Sequence, residues 1–173
     1  LTFPANMVLV GAMNPCPCGY FGDTAKACSC TPDAIRRYQS KLSGPLLDRI
    51  DMHVEVPRVD VDKLMANSKA ESSNSVRARV IAARDIQQKR FNGRRGLFAN
   101  GDMGPGDLQE WCLLSPEARQ LAEISVKRLQ LSARAYHRVL KLSRTIADLE
   151  GIPSIEVNHL AEAIQYRPRT AAE

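Results

Sequence analysis

The chain has 173 residues, of which 44% are apolar and 25% charged. This composition is ordinary for a soluble globular protein and excludes general disorder. The longest uncharged apolar run, residues 7–13, is far shorter than the roughly 20 residues that a membrane helix needs, and no basic-then-apolar signal sequence is present. We therefore expect a cytoplasmic protein with no membrane partner. The chain opens at Leu1 in strand-like sequence, which favours a piece of something longer.

Lys and Arg number 24 against 19 Asp and Glu, which gives a net charge of +5. This mild excess permits nucleic acid as a partner but does not require it. The basic residues are scattered, and the densest cluster in a loop is Arg94-Arg95. Such a pair is more often a solvated surface than a binding stripe.

The first third of the chain has the pattern of an α/β fold. An apolar run at 6–13 with β-branched residues predicts a buried strand. A loop rich in Cys, Gly and Pro follows at 14–31, and a helix at about 32–42 comes next. One further helical turn is predicted at 46–50. Alternation of apolar and polar residues at 52–56 predicts a half-buried strand.

The rest of the chain has the apolar spacing of helices. The interval 92–106 contains five glycines and one proline, and it predicts a functional or mobile loop. Serine caps, first-turn proline and a glycine stop mark the helix ends. The helices are predicted at about 73–91, from 116 onward, at 133–150 and at about 158–166.

Four of the five cysteines form two close pairs, Cys16-Pro-Cys18 and Cys28-Ser-Cys30. Four thiolates that a short loop brings together match the tetrahedral site of structural zinc, although Cys-x-Cys is tighter than the spacing in zinc ribbons. Two disulfides or unconnected free thiols are the alternatives, and nothing in the sequence suggests the secretion that disulfides accompany. A zinc ion held by four thiolates would be structural, since no position remains for water. Cys112 is predicted to be a small buried apolar residue.

Two polar side chains near the predicted strands are candidates for ligand contact. Asn14 follows the first strand, at the end where open α/β sheets bind ligands, but an Asn-Pro turn explains it more simply. Arg49 lies among apolar residues, and a buried salt bridge to Asp48 or Asp51 is as good an explanation as a functional arginine.

A third candidate, Arg134, lies in the first turn of the clearest helix. Together with Arg138 and Lys141 it forms a cationic stripe beside the apolar face. A solvated face is the usual explanation of such a stripe, and a phosphate clamp is the sharper one, because guanidinium groups bind phosphate with two hydrogen bonds.

Several motifs of known enzymes are missing from the sequence. There is no Gly-x-x-x-x-Gly-Lys-Ser/Thr loop and no apolar strand that ends in Asp-Glu, so the parts with which a P-loop NTPase holds phosphate and Mg²⁺ are absent. His53, His137 and His159 are isolated, which gives imidazole catalysis little support. Surface positions are the simplest explanation of these histidines.

Six motifs that cover nearly the whole chain resemble the magnesium-chelatase-like AAA+ ATPases. They are FPA at 3–5, AMNPCPCGY at 12–20, SGPLLDRIDMHVEVP at 43–57, LSARAYHRVLK at 131–141, RTIADL at 144–149 and HLAEAIQYR at 159–167.

The resemblance implies an α/β remnant of an AAA+ core, made of strands after the Walker B region, and an all-α lid bundle behind it. Residues 1–58 are then the end of the core with the cysteine-rich loop at 14–31, residues 59–72 a linker and residues 73–173 the lid. Because part of the sheet is missing, the all-α half is expected to fold better than the α/β half.

The resemblance also implies roles for single residues. Asn14 is similar to the sensor-1 residue, which orients the attacking water near the γ-phosphate. Arg49 is similar to the arginine finger, which one subunit inserts into the ATP site of its neighbour, and Arg36 and Arg37 are fallback candidates. Arg134 is similar to the sensor-2 arginine of a lid helix, which contacts the phosphates.

ATP and Mg²⁺ are the cofactors that the resemblance implies, for the full-length protein only. This chain alone is expected neither to bind ATP tightly nor to hydrolyse it. The members that it resembles most imply a homo-hexameric motor on DNA that drives branch migration during natural transformation. The alternatives are a chelatase-type ATPase that remodels a protein partner and a non-enzymatic, zinc-bearing module that binds nucleic acid.

Overall fold

A computed structural model of the chain describes residues 7–59, 65 and 71–167. These ranges contain seven α-helices and one turn of 3₁₀ helix at Asn100–Asp102. The helices are α1 (Pro32–Gln39), α2 (Gly44–Leu47), α3 (Ser73–Arg90), α4 (Pro105–Trp111), α5 (Pro116–Arg128), α6 (Ala133–Glu150) and α7 (Val157–Gln165). None of these helices has the length and apolar character needed to cross a membrane.

Hydroxyl side chains cap the starts of five of the seven described helices, as predicted for α1 and α5. At the N-terminus of α6, the Ser132 hydroxyl accepts a hydrogen bond from the Ala135 N–H at 3.2 Å, which satisfies one of the free donors of the first turn. At the other end, Gly151 has a φ of 73° and stops the helix in the left-handed conformation. The same cap, with the hydroxyl accepting from the N–H three residues on, is made by Thr31, Ser43, Ser72 and Ser115.

The apolar core lies in the helical half, with α6 at its centre. Helix α6 contacts α3, α4, the 3₁₀ turn and α7. A short parallel bridge between Leu114 and Ile155 joins the segment before α5 to the segment before α7. The chain's single tryptophan, Trp111, packs edge-on against Phe91, and its buried indole N–H has no partner among the described residues. Cys112 is buried in this core, which confirms its predicted role.

A buried carboxylate joins three parts of the bundle. Asp148 on α6 has no exposed side-chain surface, and it pairs with Arg90 at the end of α3 and with Arg144 one turn earlier on α6. The Asn100 amide donates to the same carboxylate at 2.8 Å. Arg144 also donates to the carbonyl oxygens of residues 152 and 153, so its guanidinium is satisfied although it is fully buried.

The two predicted strands do not form among the described residues. Residues 7–13 lie exposed, with Val8 91% and Val10 88% accessible, and Val54 and Val56 in the second run are 63% and 85% accessible. A strand needs the N–H and C=O groups of a neighbouring strand, and neither run has one in the part of the chain that the structure describes. The α/β expectation for this half is therefore not met here, whereas the helical half has its predicted all-α character.

Three other expectations change in detail. Helix α1 ends at Gln39, earlier than predicted, and α2 is displaced toward the N-terminus. The apolar face predicted for α3 is mostly open, since Val76 and Val80 are 40% and 46% accessible and only Ala83 and Gln87 are buried. Most of the predicted linker at 59–72, and the two chain ends at 1–6 and 168–173, lie outside the described residues.

We expect Asp148→Asn to lower the free energy of unfolding by about 3–5 kcal/mol, because it leaves two buried guanidinium groups without a countercharge. Urea denaturation followed by circular dichroism measures the loss. Asp85→Asn, at an exposed position on α3, is the matched control and is expected to change stability by less than about 0.5 kcal/mol. Equal effects of the two substitutions would contradict a structural role for the Asp148 network.

Candidate functional site

The four cysteines of the N-terminal loop converge in the structure. The Sγ atoms of Cys16, Cys18 and Cys28 lie 3.4, 3.7 and 3.5 Å from one another. With Cys30, all four sulfur atoms lie within 4.8 Å of one another. Cys16 is fully buried, and the other three thiols are half-buried.

Backbone turns bring the two cysteine pairs together. The Gly19 N–H donates to the Cys16 carbonyl at 3.0 Å, in a turn where Gly19 has a φ of 84° that side-chain-bearing residues rarely adopt. The Phe21 N–H then donates to the Cys16 sulfur at 3.3 Å. In the second pair, the Cys30 N–H donates to the Cys28 sulfur at 3.4 Å. Such N–H donors favour sulfur atoms that carry negative charge.

Because the four thiols lie close together, their pKa values differ strongly from one another. Backbone N–H groups of Tyr20 and Ser29 lower the pKa of Cys18 to about 5. At Cys28 the Cys30 N–H acts to lower the pKa, but burial and the neighbouring thiols outweigh it and raise the pKa to about 12. The four sulfurs therefore do not ionise together unless a cation compensates their mutual repulsion.

The donor set fits a tetrahedral metal ion. A Zn–S distance of about 2.3 Å places sulfur atoms about 3.8 Å apart at the corners of a tetrahedron. The three separations among Cys16, Cys18 and Cys28, from 3.4 to 3.7 Å, are close to that spacing, and those to Cys30 are at most 4.8 Å. The residues that would hold the ion are Cys16, Cys18, Cys28 and Cys30.

Asn14 is exposed and lies immediately before the cysteine cluster. A Cβ added to Gly19 would lie 3.8 Å from the Asn14 amide nitrogen, so the side chain is folded back over the turn. Because residues 7–13 form no strand with any other described part of the chain, Asn14 does not lie at the end of a sheet there. Among the described residues it makes no hydrogen bond or ion pair to Arg49 or Arg134.

Arg49 follows α2 and is exposed. Its guanidinium donates to the Pro45 carbonyl at 2.7 Å, so the buried salt bridge considered from the sequence is not formed. The fallback arginines lie on α1, where Arg36 pairs with Asp33 on an exposed face and Arg37 is also exposed.

Arg138 attaches the segment around Arg49 to the helical bundle. Arg138 on α6 donates to the Ile50 carbonyl at 3.0 Å, and its guanidinium lies 3.8 Å from the Asp48 carboxylate. The His53 N–H donates to the Tyr166 carbonyl at 2.8 Å, which fixes the far end of the same segment.

Of the three basic residues in the stripe predicted on α6, two make contacts within the protein and one is left free in the described part of the chain. Arg138 is 16% exposed and anchors the Arg49 segment, and Lys141 donates to the Gly101 carbonyl at 2.8 Å. Arg134, one turn before Arg138 and on the same helix face, is exposed and has no hydrogen bond or ion pair within the described ranges. The segment that contains Arg49 therefore contacts α6 at Arg138, one turn from Arg134, whereas Asn14 lies beside the cysteines.

Sequence reasoning missed two of these features. The sequence placed Arg138 in a surface stripe. In the structure its hydrogen-bond and ion-pair partners are the Ile50 carbonyl and the Asp48 carboxylate, far away in the sequence. The sequence also placed His159 on the surface, whereas this side chain is fully buried between the Glu156 N–H and the Glu150 carboxylate, each 3.0 Å away. The position of His159 in the first turn of α7, next to Leu160 in the apolar stripe, was an available signal for burial.

Comparison with known proteins agrees with the motifs. Residues 1–64 match the family described as magnesium chelatase, subunit ChlI, and residues 70–167 match the C-terminal domain of the same subunit. The chain is 41% identical over 168 residues to the competence protein ComM of Haemophilus influenzae. It is 39% identical over 168 residues to the uncharacterized protein YifB of Salmonella typhimurium, and 34% identical over 165 residues to the uncharacterized protein Rv2897c of Mycobacterium tuberculosis.

These alignments cover 95–96% of the chain but only 32% of each relative, so the chain spans about a third of the length of the curated proteins that it matches. The family matches extend over both the cysteine-rich part and the helical bundle. The chain therefore belongs to the magnesium chelatase ChlI family of AAA+ ATPases.

Proposed function

We propose that this chain is the C-terminal portion of an ATP-driven AAA+ motor that acts on DNA. The observation that carries the proposal is that Arg49 and Arg134 are both exposed, and that the segment containing Arg49 contacts α6 at Arg138, one turn from Arg134. Exposed guanidinium groups suit phosphate, which they bind with two hydrogen bonds and stabilise during phosphoryl transfer.

In this proposal the three polar residues have separate roles. Arg49 is the finger that enters the ATP site of a neighbouring subunit, Arg134 is the sensor-2 residue, and Asn14 is the sensor-1 residue. ATP and Mg²⁺ bind in the full-length protein, whose Walker segments this chain does not contain. A finger supplied to a neighbour requires self-association, and a homo-hexameric ring is the proposed form.

The family matches also support the proposed division of the chain. One match ends at residue 64 and the other begins at residue 70. This boundary lies inside the proposed linker at 59–72, which separates the end of the AAA+ core (1–58) from the helical lid (73–173).

The DNA substrate is supported by similarity to a protein named for competence and by the net positive charge. The family description, magnesium chelatase, favours a second candidate, an ATPase that remodels a protein partner.

A third candidate is a non-enzymatic, zinc-bearing module that binds nucleic acid, and the cysteine cluster favours it. Loss of ATP hydrolysis on removal of Arg49 separates the first two candidates from the third.

We further propose that the cysteine cluster holds structural zinc. In residues 7–59 only Cys16 is fully buried, so this part has no apolar core of its own. A small unit that lacks a core needs a metal or another cross-link for stability.

One zinc per chain is the expected metal content of the reduced protein. Cys16→Ser/Cys28→Ser is expected to lose the ion, because two thiolates do not complete a tetrahedral site. Cys112→Ala is the matched control, since it removes the one cysteine outside the cluster and is expected to keep the zinc. Elemental analysis of the three proteins decides the matter, and metal-free wild-type protein would refute a zinc site.

In the full-length protein, Arg49→Ala is expected to lower the rate of ATP hydrolysis by about 10³–10⁵-fold, the typical effect of losing an arginine finger. ATP binding should stay nearly intact, because the finger acts on a neighbour's nucleotide. Steady-state turnover and nucleotide titration measure the two quantities.

Three controls belong to the Arg49 experiment. Arg119→Ala removes an exposed arginine of α5 and should leave turnover unchanged. Arg36→Ala and Arg37→Ala test the fallback positions. Normal turnover in Arg49→Ala, together with loss in either of these two, would move the finger to α1.

Arg138→Met is expected to release the Arg49 segment from α6 while retaining most of the apolar packing of the side chain. The direct measurement is hydrogen exchange at the His53 amide, which donates to Tyr166. Its protection should fall at least several-fold, with no change in the amides of α5. Unaltered protection at His53 would show that Arg138 is not the anchor.

A further inference from the structure

A second basic region of the chain lies away from Arg49 and Arg134. An open cleft of about 390 Å³ lies between the C-terminal half of α3 and the loop that follows it. Its walls include Arg84, Gln88, Arg94, Leu97 and Phe98. We propose that this cleft binds single-stranded nucleic acid, with Phe98 stacking on a base and with phosphates contacting Arg84 in the cleft and Arg95, which follows the lining residue Arg94 in the loop. The inference rests on the proposed function, since it assigns the surface that holds the DNA.

Phe98 is the first observation behind this proposal. Its side chain is 73% exposed, whereas the neighbouring Phe91 is 3% exposed and belongs to the core. The Phe98 ring is therefore open to a ligand, whereas the Phe91 ring is not. A flat ring open to solvent offers a stacking surface to any unpaired base, irrespective of sequence.

The charge around Phe98 is the second observation. Of the 15 residues from 84 to 98, five are Lys or Arg and one is acidic. Arg90 is neutralised by Asp148, and Arg94 by Glu110 at 2.6 Å. The exposed cations that remain include Arg84 on one wall and Arg95 at the tip of the loop.

No carboxylate lines the cleft in the part of the chain that the structure describes. Aromatic and cationic groups together match the two components of a single strand, its bases and its phosphates. A base paired in a duplex has both faces stacked and gives Phe98 no surface to contact.

The loop is held in place by named contacts, which is the third observation. The Asp102 carboxylate accepts hydrogen bonds from the N–H groups of Phe98 and Ala99 at 3.0 and 2.9 Å. Asn100 is 1% exposed and joins the loop to the buried Asp148 carboxylate. The cleft is therefore formed before a ligand arrives, which limits the entropy lost on binding.

The test is binding of the 173-residue chain to a fluorescein-labelled 20-nucleotide oligothymidine, measured by fluorescence anisotropy at low salt. Phe98→Ala is expected to weaken binding about tenfold or more, the effect of losing one stacking platform. Phe98→Tyr keeps the ring and should keep the affinity. Arg84→Ala/Arg95→Ala should weaken binding and reduce the slope of log K against log salt by about 1.4, the value for two phosphate contacts on a single strand.

Matched controls are available in the same chain. Phe21→Ala removes an aromatic side chain that is 49% exposed on the cysteine loop, and Arg119→Ala/Arg128→Ala removes two exposed arginines of α5. Both controls should bind as the wild type does. Circular dichroism verifies that each variant is folded. Because Phe98 is largely exposed, its removal is not expected to disturb the fold.

The outcomes separate this site from the proposed motor. No binding by the wild-type chain, or equal losses in the test and control variants, overturns the site. Binding that Phe98→Ala leaves unchanged also overturns it, while the proposed ATP-driven motor stands if Arg49→Ala abolishes hydrolysis in the full-length protein. A duplex of the same length that binds as tightly as the single strand overturns the stacking role of Phe98.

Discussion

The helical half of this chain is organised around one carboxylate, that of Asp148. Two guanidinium groups and one amide converge on it, from the end of α3, from α6 itself and from the 3₁₀ turn. A lone buried charge is costly, but here each charged group has partners of opposite charge or carbonyl oxygens. The direction in which the chain leaves α3, and the placement of the 92–102 loop, therefore depend on a residue 58 positions after Arg90.

The N-terminal half depends on different physics. Its helices α1 and α2 bury no residues, and Cys16 of the cysteine cluster is the one fully buried residue in the described range 7–59. The segment with Arg49 is attached to the bundle by Arg138 and by a backbone hydrogen bond to Tyr166. Contacts among the cysteine sulfurs thus hold the loop together, and polar contacts join it to the bundle. An apolar core is present only in the bundle, among the described residues.

The sequence predicted local features well and long-range ones poorly. The starts of α3, α5 and α6 follow from serine caps and first-turn residues, which act within one helical turn. The predicted strands are not confirmed, because a strand forms only beside another strand, and Val8 and Val10 have no such neighbour among the described residues.

In the candidate site, too, local features could be predicted from the sequence and long-range contacts could not. The meeting of the four cysteines could be predicted from their spacing in one loop, and the structure confirms that the sulfurs are close. The anchoring role of Arg138 could not, because its partners lie 88 residues away in sequence. The roles of Asn14, Arg49 and Arg134 in ATP hydrolysis stay predictions.

The single tryptophan has a practical consequence for studying these two halves. Trp111 lies in the bundle against Phe91, and no tryptophan occurs in the cysteine-rich part. Its emission maximum reports whether water has entered the bundle and is insensitive to events in the N-terminal loop. If the proposed zinc is bound, intrinsic fluorescence and the ultraviolet absorbance of its thiolate bonds follow the unfolding of the two halves independently, in one unlabelled sample.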